Sequence, residues 1–127
     1  MNKTILMTGL LFGVLAVILG AFGAHGLKKV LDPEQINTFE TGVKYQMYHA
    51  LFLILLSTIS MASEGTKRVV FYLIMAGIIL FSFSIYLLAT NNLTSFDFRK
   101  IGFITPIGGT LLIAGWGYLL FGILTHK

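Results

Sequence analysis

Four apolar runs, at about 5–23, 43–62, 69–89 and 101–124, leave this chain few ways to fold. The roughly 30 Å hydrocarbon core of a bilayer takes about 20 helical residues at 1.5 Å each, and the runs have that length. Only 11% of the residues are charged, against about 25% in soluble domains, and mean hydropathy is +0.86. The reading is an all-α membrane protein with residues 1–127 as a single transmembrane domain. Its four-helix transmembrane bundle carries an additional amphipathic helix, about 33–44, between helices one and two, lying at the interface or continuing into helix two.

The first run follows Asn2 and Lys3. Ala21-Phe22-Gly23 would pass as a small-x-small cleavage site, but the run is long for a signal core and reads as a retained helix. Gly9, Gly13, Ala16 and Gly20 mark one flank of it. Gly108, Gly115 and Gly122 recur every seven residues in the last run. Such small-residue stripes let helix backbones approach closely where lipid removes the hydrophobic drive to associate, so both should be buried in helix contacts.

Between the first two runs lies the stretch GAFGAHGLKKVLDPEQINTFETGVKYQMYHAL, residues 20–51. Asp32-Pro33-Glu34-Gln35 has the order of a helix start, with Asp as N-cap, Pro at the first helical position and Gln at N3. Ile36, Phe39, Val43, Met47 and Ala50 then recur at helical spacing, with Asn37, Glu40, Thr41 and Lys44 opposite. Glu40 precedes Lys44 by four residues, the favourable order for a surface ion pair. The apolar part from Ala50 to Ala62 covers only about 20 Å, so the second span must start near Val43, with Gln46 and His49 helical. Pro106, in the first turns of the last run, predicts a bend or a delayed helix start.

His25 ends the first helix and His49 begins the second, which puts both at one membrane boundary with Glu40, Lys44, Tyr45 and Tyr48. Tyr86, Asn91, Asn92 and Thr105 are expected at the same boundary. Ionisable groups near hydrocarbon are expensive and mark candidate sites. Three readings of this cluster are open. It satisfies helix ends and anchors the interface, it forms a pocket for a small molecule, lipid headgroup or proton, or His25, His49 and Glu40 hold a metal without any short-range ligand motif. No metal and no cofactor is expected on the sequence.

Other chemistry has less behind it. Cysteine is absent, which removes thiolate nucleophiles and Cys-based metal sites. GAFGAHG lacks the dinucleotide spacing and the Lys-Ser/Thr pair of a phosphate loop. Ser82 and Ser84 have no Ser-His-Asp context and fit hydrogen bonding within the bundle, and Trp116 and Tyr118 fall in mid-span, where they suit helix packing. The formal charge of +4 is scattered in ones and twos, which fits lipid headgroups and no nucleic acid. Lys3, Lys67, Arg68 and Lys127 on one side against Lys28, Lys29, Lys44, Arg99 and Lys100 on the other set no orientation.

GAFGAHGL at 20–27, YQMYHAL at 45–51, FSFSIYLL at 81–88, ITPIGG at 104–109 and GW at 115–116 are familiar in this order. The chain resembles the small bacterial membrane proteins of domain of unknown function four-two-three, also called uncharacterised protein family 0382. It is similar over the same core to the eukaryotic transmembrane protein two-five-six. The resemblance implies a multi-pass protein of the bacterial plasma membrane and carries no catalytic assignment. The expectation is a non-enzymatic interaction or accessory protein whose partners are membrane lipid, a second copy in a homo-oligomer, or a protein the sequence does not name. The alternative is a small transporter, channel or lipid-binding protein with a polar site at the His25/His49 end.

Overall fold

The computed structural model describes residues 1–93, 95 and 97–126; Lys127, counted above with the charges, lies outside them. Among the described residues every regular element is helical. The main elements are α1 (Asn2–Leu27), α2 (Pro33–Thr58), α3 (Glu64–Ala89) and α4 (Ile104–Leu124). By length and composition three helical stretches can cross a membrane: Asn2–Leu27, Glu64–Ala89 and Phe98–Leu124.

Local chemistry sets the helix ends. Asp32 Oδ1 accepts from the Gln35 backbone N–H at 2.8 Å while Gln35 Oε1 accepts from the Asp32 N–H at 3.0 Å, the reciprocal cap expected from the sequence. Ser63 Oγ accepts from the Thr66 N–H at 3.1 Å to start α3. A 3-10 turn, Phe98–Ile101, precedes α4, so Pro106 lies in the first turn of a delayed helix, where its missing N–H loses no intrahelical bond. Asp97 caps that 3-10 turn and receives the Arg99 Nε–H at 3.0 Å, which holds the Asp97 carboxyl down at about 2.

Of the two placements expected for the amphipathic segment about 33–44, the structure has the second. The segment runs on into the second apolar run as one 26-residue helix, because no residue between Pro33 and Thr58 breaks the pattern. The Glu40 to Lys44 pair is not made. Among the described residues the ion pairs within 4.0 Å are Lys67–Glu64 and Arg99–Asp97.

The helices pack in chain order, α1 on α2, α2 on α3 and α3 on α4. The outer two bury a single narrow stripe each, Ile5, Gly9, Phe12 and Ala16 on α1 and Gly108, Leu112, Gly115 and Leu119 on α4. Their other faces are exposed and apolar, with Leu10, Leu11, Val14, Ile113 and Leu120 outward. Ile5, Leu53, Leu56, Val70, Ile74 and Ile78 form the fully enclosed centre.

The glycines occupy the crossings. A Cβ on Gly9 would come 2.9 Å from Ala50 O, and one on Gly108 would overlap the backbone of Leu80 and Phe81. Gly115 faces Ile74, Gly122 faces Thr66 and Gly20 faces Val43, while Gly13 has ordinary contact with Ala50. At the Gly108 crossing α3 widens into a π-helical turn, Ile79–Phe83; a second such turn, Leu19–Gly23, lies near the end of α1.

Candidate functional site

His49 lies 16 residues past Pro33 in an unbroken helix, about 24 Å along it, so it is not at the hairpin end of the molecule. There it is 5% exposed. Its Nδ1 is 2.7 Å from the Tyr45 carbonyl oxygen, and its Nε2 is 2.9 Å from the Trp116 indole nitrogen of α4. The indole nitrogen can only donate and the carbonyl can only accept. These partners assign the neutral Nδ1–H tautomer, which donates to Tyr45 O and accepts from Trp116. The Trp116 ring also rests on Phe52, with centroids 4.4 Å apart.

His25 belongs elsewhere. It is exposed on the last turn of α1, close to where Gly23 meets Phe39, and Phe39 precedes His49 by about 15 Å of helix. The expected His25/His49 cluster is corrected accordingly: antiparallel pairing matches the top of α1 with the start of α2, and the continuity of α2 carries His49 deep. Of the expected residues the structure brings together Tyr45, Tyr48 and His49 on one wall. Glu40 is half-buried and Lys44 exposed, both nearer the hairpin.

That wall faces a furrow of about 770 Å³ between α2 and α4. Leu112, Ile113 and Trp116 form the opposite side, with Phe81 of α3 at the back. The furrow exists because α2 and α4 are not direct neighbours in the packing order, and Trp116 reaches across the gap to His49. Tyr45 packs edge-on against Phe81 at 5.0 Å and against Tyr48 at 5.8 Å. A further groove of about 450 Å³ continues it past Leu51, Leu55 and Ile59. Because His49 is saturated by Tyr45 and Trp116, the furrow offers an apolar and aromatic surface. Among the described residues the Tyr45 and Tyr48 hydroxyls have no partner within the protein.

A second polar set ties α2 to α1 and α3, and α3 to α4. Gln46, fully buried, donates to Phe12 O at 2.9 Å and accepts from the Tyr86 hydroxyl at 2.6 Å. Ser82 donates to Gly42 O at 2.9 Å, and Ser84 pairs with Thr105 at 2.6 Å. The sequence signal for Gln46 was its amide within an apolar run, where an unpaired amide is untenable. No local signal pointed to Trp116 as the partner of His49. Among the described residues no three His, Asp or Glu side chains converge to hold a metal.

The sequence profile described as "Protein of unknown function (DUF423)" matches residues 19–109. The chain belongs to this family. Residues 19–109 take in the Tyr45, Tyr48 and His49 wall together with Phe81 and Gly109 of the DUF423 furrow, and Trp116 falls just beyond them. A UPF0382 membrane protein of Staphylococcus saprophyticus is 41% identical over 94% of this chain and 96% of its own length. The UPF0382 membrane protein YwdK of Bacillus subtilis is 37% identical over 90% of each chain. The UPF0382 inner membrane protein YgdD of Escherichia coli is 33% identical over 99% of this chain and 93% of its own. No solved structure matches the chain. This DUF423 protein is a multi-pass protein of the bacterial plasma membrane.

Proposed function

We propose that the chain is a four-span, non-enzymatic membrane protein that holds a lipid chain in the furrow between α2 and α4. The observation that carries this reading is the furrow itself, an apolar and aromatic slot of about 770 Å³ open along the outside of the bundle. Its volume is within the roughly 300 to 1,000 Å³ of small-molecule sites.

Support for α2 as the fourth span comes from its neighbours. It runs antiparallel to α1 from Phe39 opposite Gly23 to Leu53 opposite Gly9, so it crosses whatever α1 crosses. Two polar side chains in the body of its span, Gln46 and His49, are buried and bonded inside the protein, and lipid does not meet them.

Support for the non-enzymatic reading comes from the hydroxyls. Ser82 and Ser84 are engaged with Gly42 O, Phe81 O and Thr105, and among the described residues every buried side-chain nitrogen or oxygen has a partner. An interior filled and satisfied in this way favours lipid binding at the flank over a transport path through the middle.

Native mass spectrometry of the detergent-solubilised chain tests the reading. The wild type is expected to keep one lipid under conditions that strip the loose annulus, and Gly109→Leu or Leu51→Trp, which fill the furrow, to lose it. A wild type that carries no lipid, or variants that keep it equally well, refutes the reading.

A further inference from the structure

We infer that the furrow selects an anionic phospholipid, with the phosphate of its headgroup against Lys44 and one acyl chain running down the slot. The inference rests on the lipid-binding reading of the furrow and adds the class of lipid.

Lys44 is exposed, and among the described residues it has no ion pair and no hydrogen bond. The nearest carboxylate along the helix, Glu40 one turn above, is not within 4.0 Å of it. Its depth makes that lack of a partner matter. Gly20 of α1 lies against Val43, so Lys44 is about 10 Å below the end of α1 at Leu27, inside the level spanned by the apolar run. An ammonium at that level either stretches toward the headgroups or meets an anion that comes down to it. A phosphate supplies the anion.

The residues below it form an amphiphile's track. Lys44, Tyr48, Leu51 and Leu55 follow at spacings of four, three and four, one stripe on the exposed side of α2. Polarity falls along it in order, from ammonium to phenol to alkyl. The two grooves extend from Tyr45 to Ile59, about 21 Å of helix, which exceeds the roughly 15 Å of one leaflet and takes a full acyl chain.

A helix from a second copy fits this track less well. Close helix packing in lipid uses small residues, and this side of α2 presents Lys44, Tyr48, Leu51 and Leu55. Tyr48 at 54% and Trp116 at 52% exposed stand at the mouth, leaving a slot better suited to an alkyl chain than to a helix about 10 Å across.

Trp116 is the only tryptophan of the chain, which makes it a reporter inside the slot. The full chain is reconstituted in vesicles of phosphatidylcholine mixed with phosphatidylglycerol, with dibrominated chains on one lipid at a time, and quenching of Trp116 gives their relative binding constant. Phosphatidylglycerol is expected to be preferred about fivefold, the scale of one basic residue at a membrane surface. Lys44→Gln should bring the ratio to about one, Lys44→Arg should restore it, and Lys100→Gln, outside the furrow, should leave it unchanged.

Equal binding of the two lipids, with quenching by either still abolished in Gly109→Leu, overturns the anionic preference and leaves the furrow reading standing. Quenching that Gly109→Leu does not alter overturns both. A preference that survives Lys44→Gln removes the headgroup assignment. Quenching that disappears as the protein-to-lipid ratio rises identifies a second copy as the occupant, which also overturns the inference.

Discussion

The Trp116 indole N–H donates to His49 Nε2 at 2.9 Å, a bond between residues 67 positions apart that ties α4 to α2 across a gap the backbones do not close. Each partner satisfies a polar atom the other would otherwise bury. Trp116→Phe keeps the ring on Phe52 and removes the donor, so it should lower stability by about 1 to 2 kcal/mol. A double-mutant cycle with His49→Phe should return a coupling of about 0.6 to 2 kcal/mol in detergent unfolding. Additive single effects would mean that the bond contributes nothing.

The glycine crossings should rank by the space behind them. Gly108→Ala sets a methyl group into the backbone of Leu80 and Phe81 and should cost about 2 to 3 kcal/mol or prevent assembly. Gly117→Ala, where nothing lies within 4 Å, and Gly13→Ala, where Ala50 is 3.9 Å away, should be within about 0.5 kcal/mol of wild type. Thermal unfolding in one detergent compares the three.

Lys67 is 1% exposed and donates from Nζ to the Ile59 carbonyl oxygen at 2.8 Å, closing the C-terminal end of α2 from the first turn of α3. The cation meets the negative end of a helix. Lys67→Met keeps the buried stem and removes the charge and donor, and should cost about 1 to 3 kcal/mol. A variant as stable as wild type would show that the carbonyl finds water instead.

Asp97 supplies a pH dependence. Arg99, through its side-chain and backbone bonds, holds the carboxyl at about 2 against an ordinary value of 3.8. A depressed folded value means the contribution is complete above the unfolded value near 4 and is lost as pH falls toward 2. The carboxyl carbon of Asp97 should therefore titrate near 2 by NMR, and Arg99→Gln should move that midpoint up toward the ordinary value. A midpoint near 4 in the wild type would remove the Arg99 contact from the loop.

The proposed four-span arrangement would place Asn37 and Ser60, both exposed, on opposite sides of the membrane. The chain has no cysteine, so Asn37→Cys and Ser60→Cys each give a single label site. An impermeant maleimide should react with one of the two in intact cells and with both after lysis. Equal reaction of both in intact cells would mean that α2 does not cross.

Much of this protein was determined by short-range order in the chain. The apolar runs made the helices, because a backbone in lipid satisfies its N–H and C=O groups only in helices or closed barrels, and runs of this length suit helices. Asp32 and Gln35 fixed the start of α2 through bonds that span three residues, and the spacing of Gly9, Ala16, Gly108 and Gly115 marked the buried stripes because helical periodicity puts them on one side. Tertiary structure alone decided the depth of His49 and its partner. Depth depends on α2 running unbroken from Pro33, which propensity left open, and on which residue of α1 faces which of α2. The link to Trp116 depends on packing order: with α3 between α2 and α4, only a side chain as long as an indole bridges them, and nothing within either helix encodes that distance. For the same reason His25 and His49, joined by one hairpin in the sequence, came apart in space while Tyr45, Tyr48 and Trp116 came together.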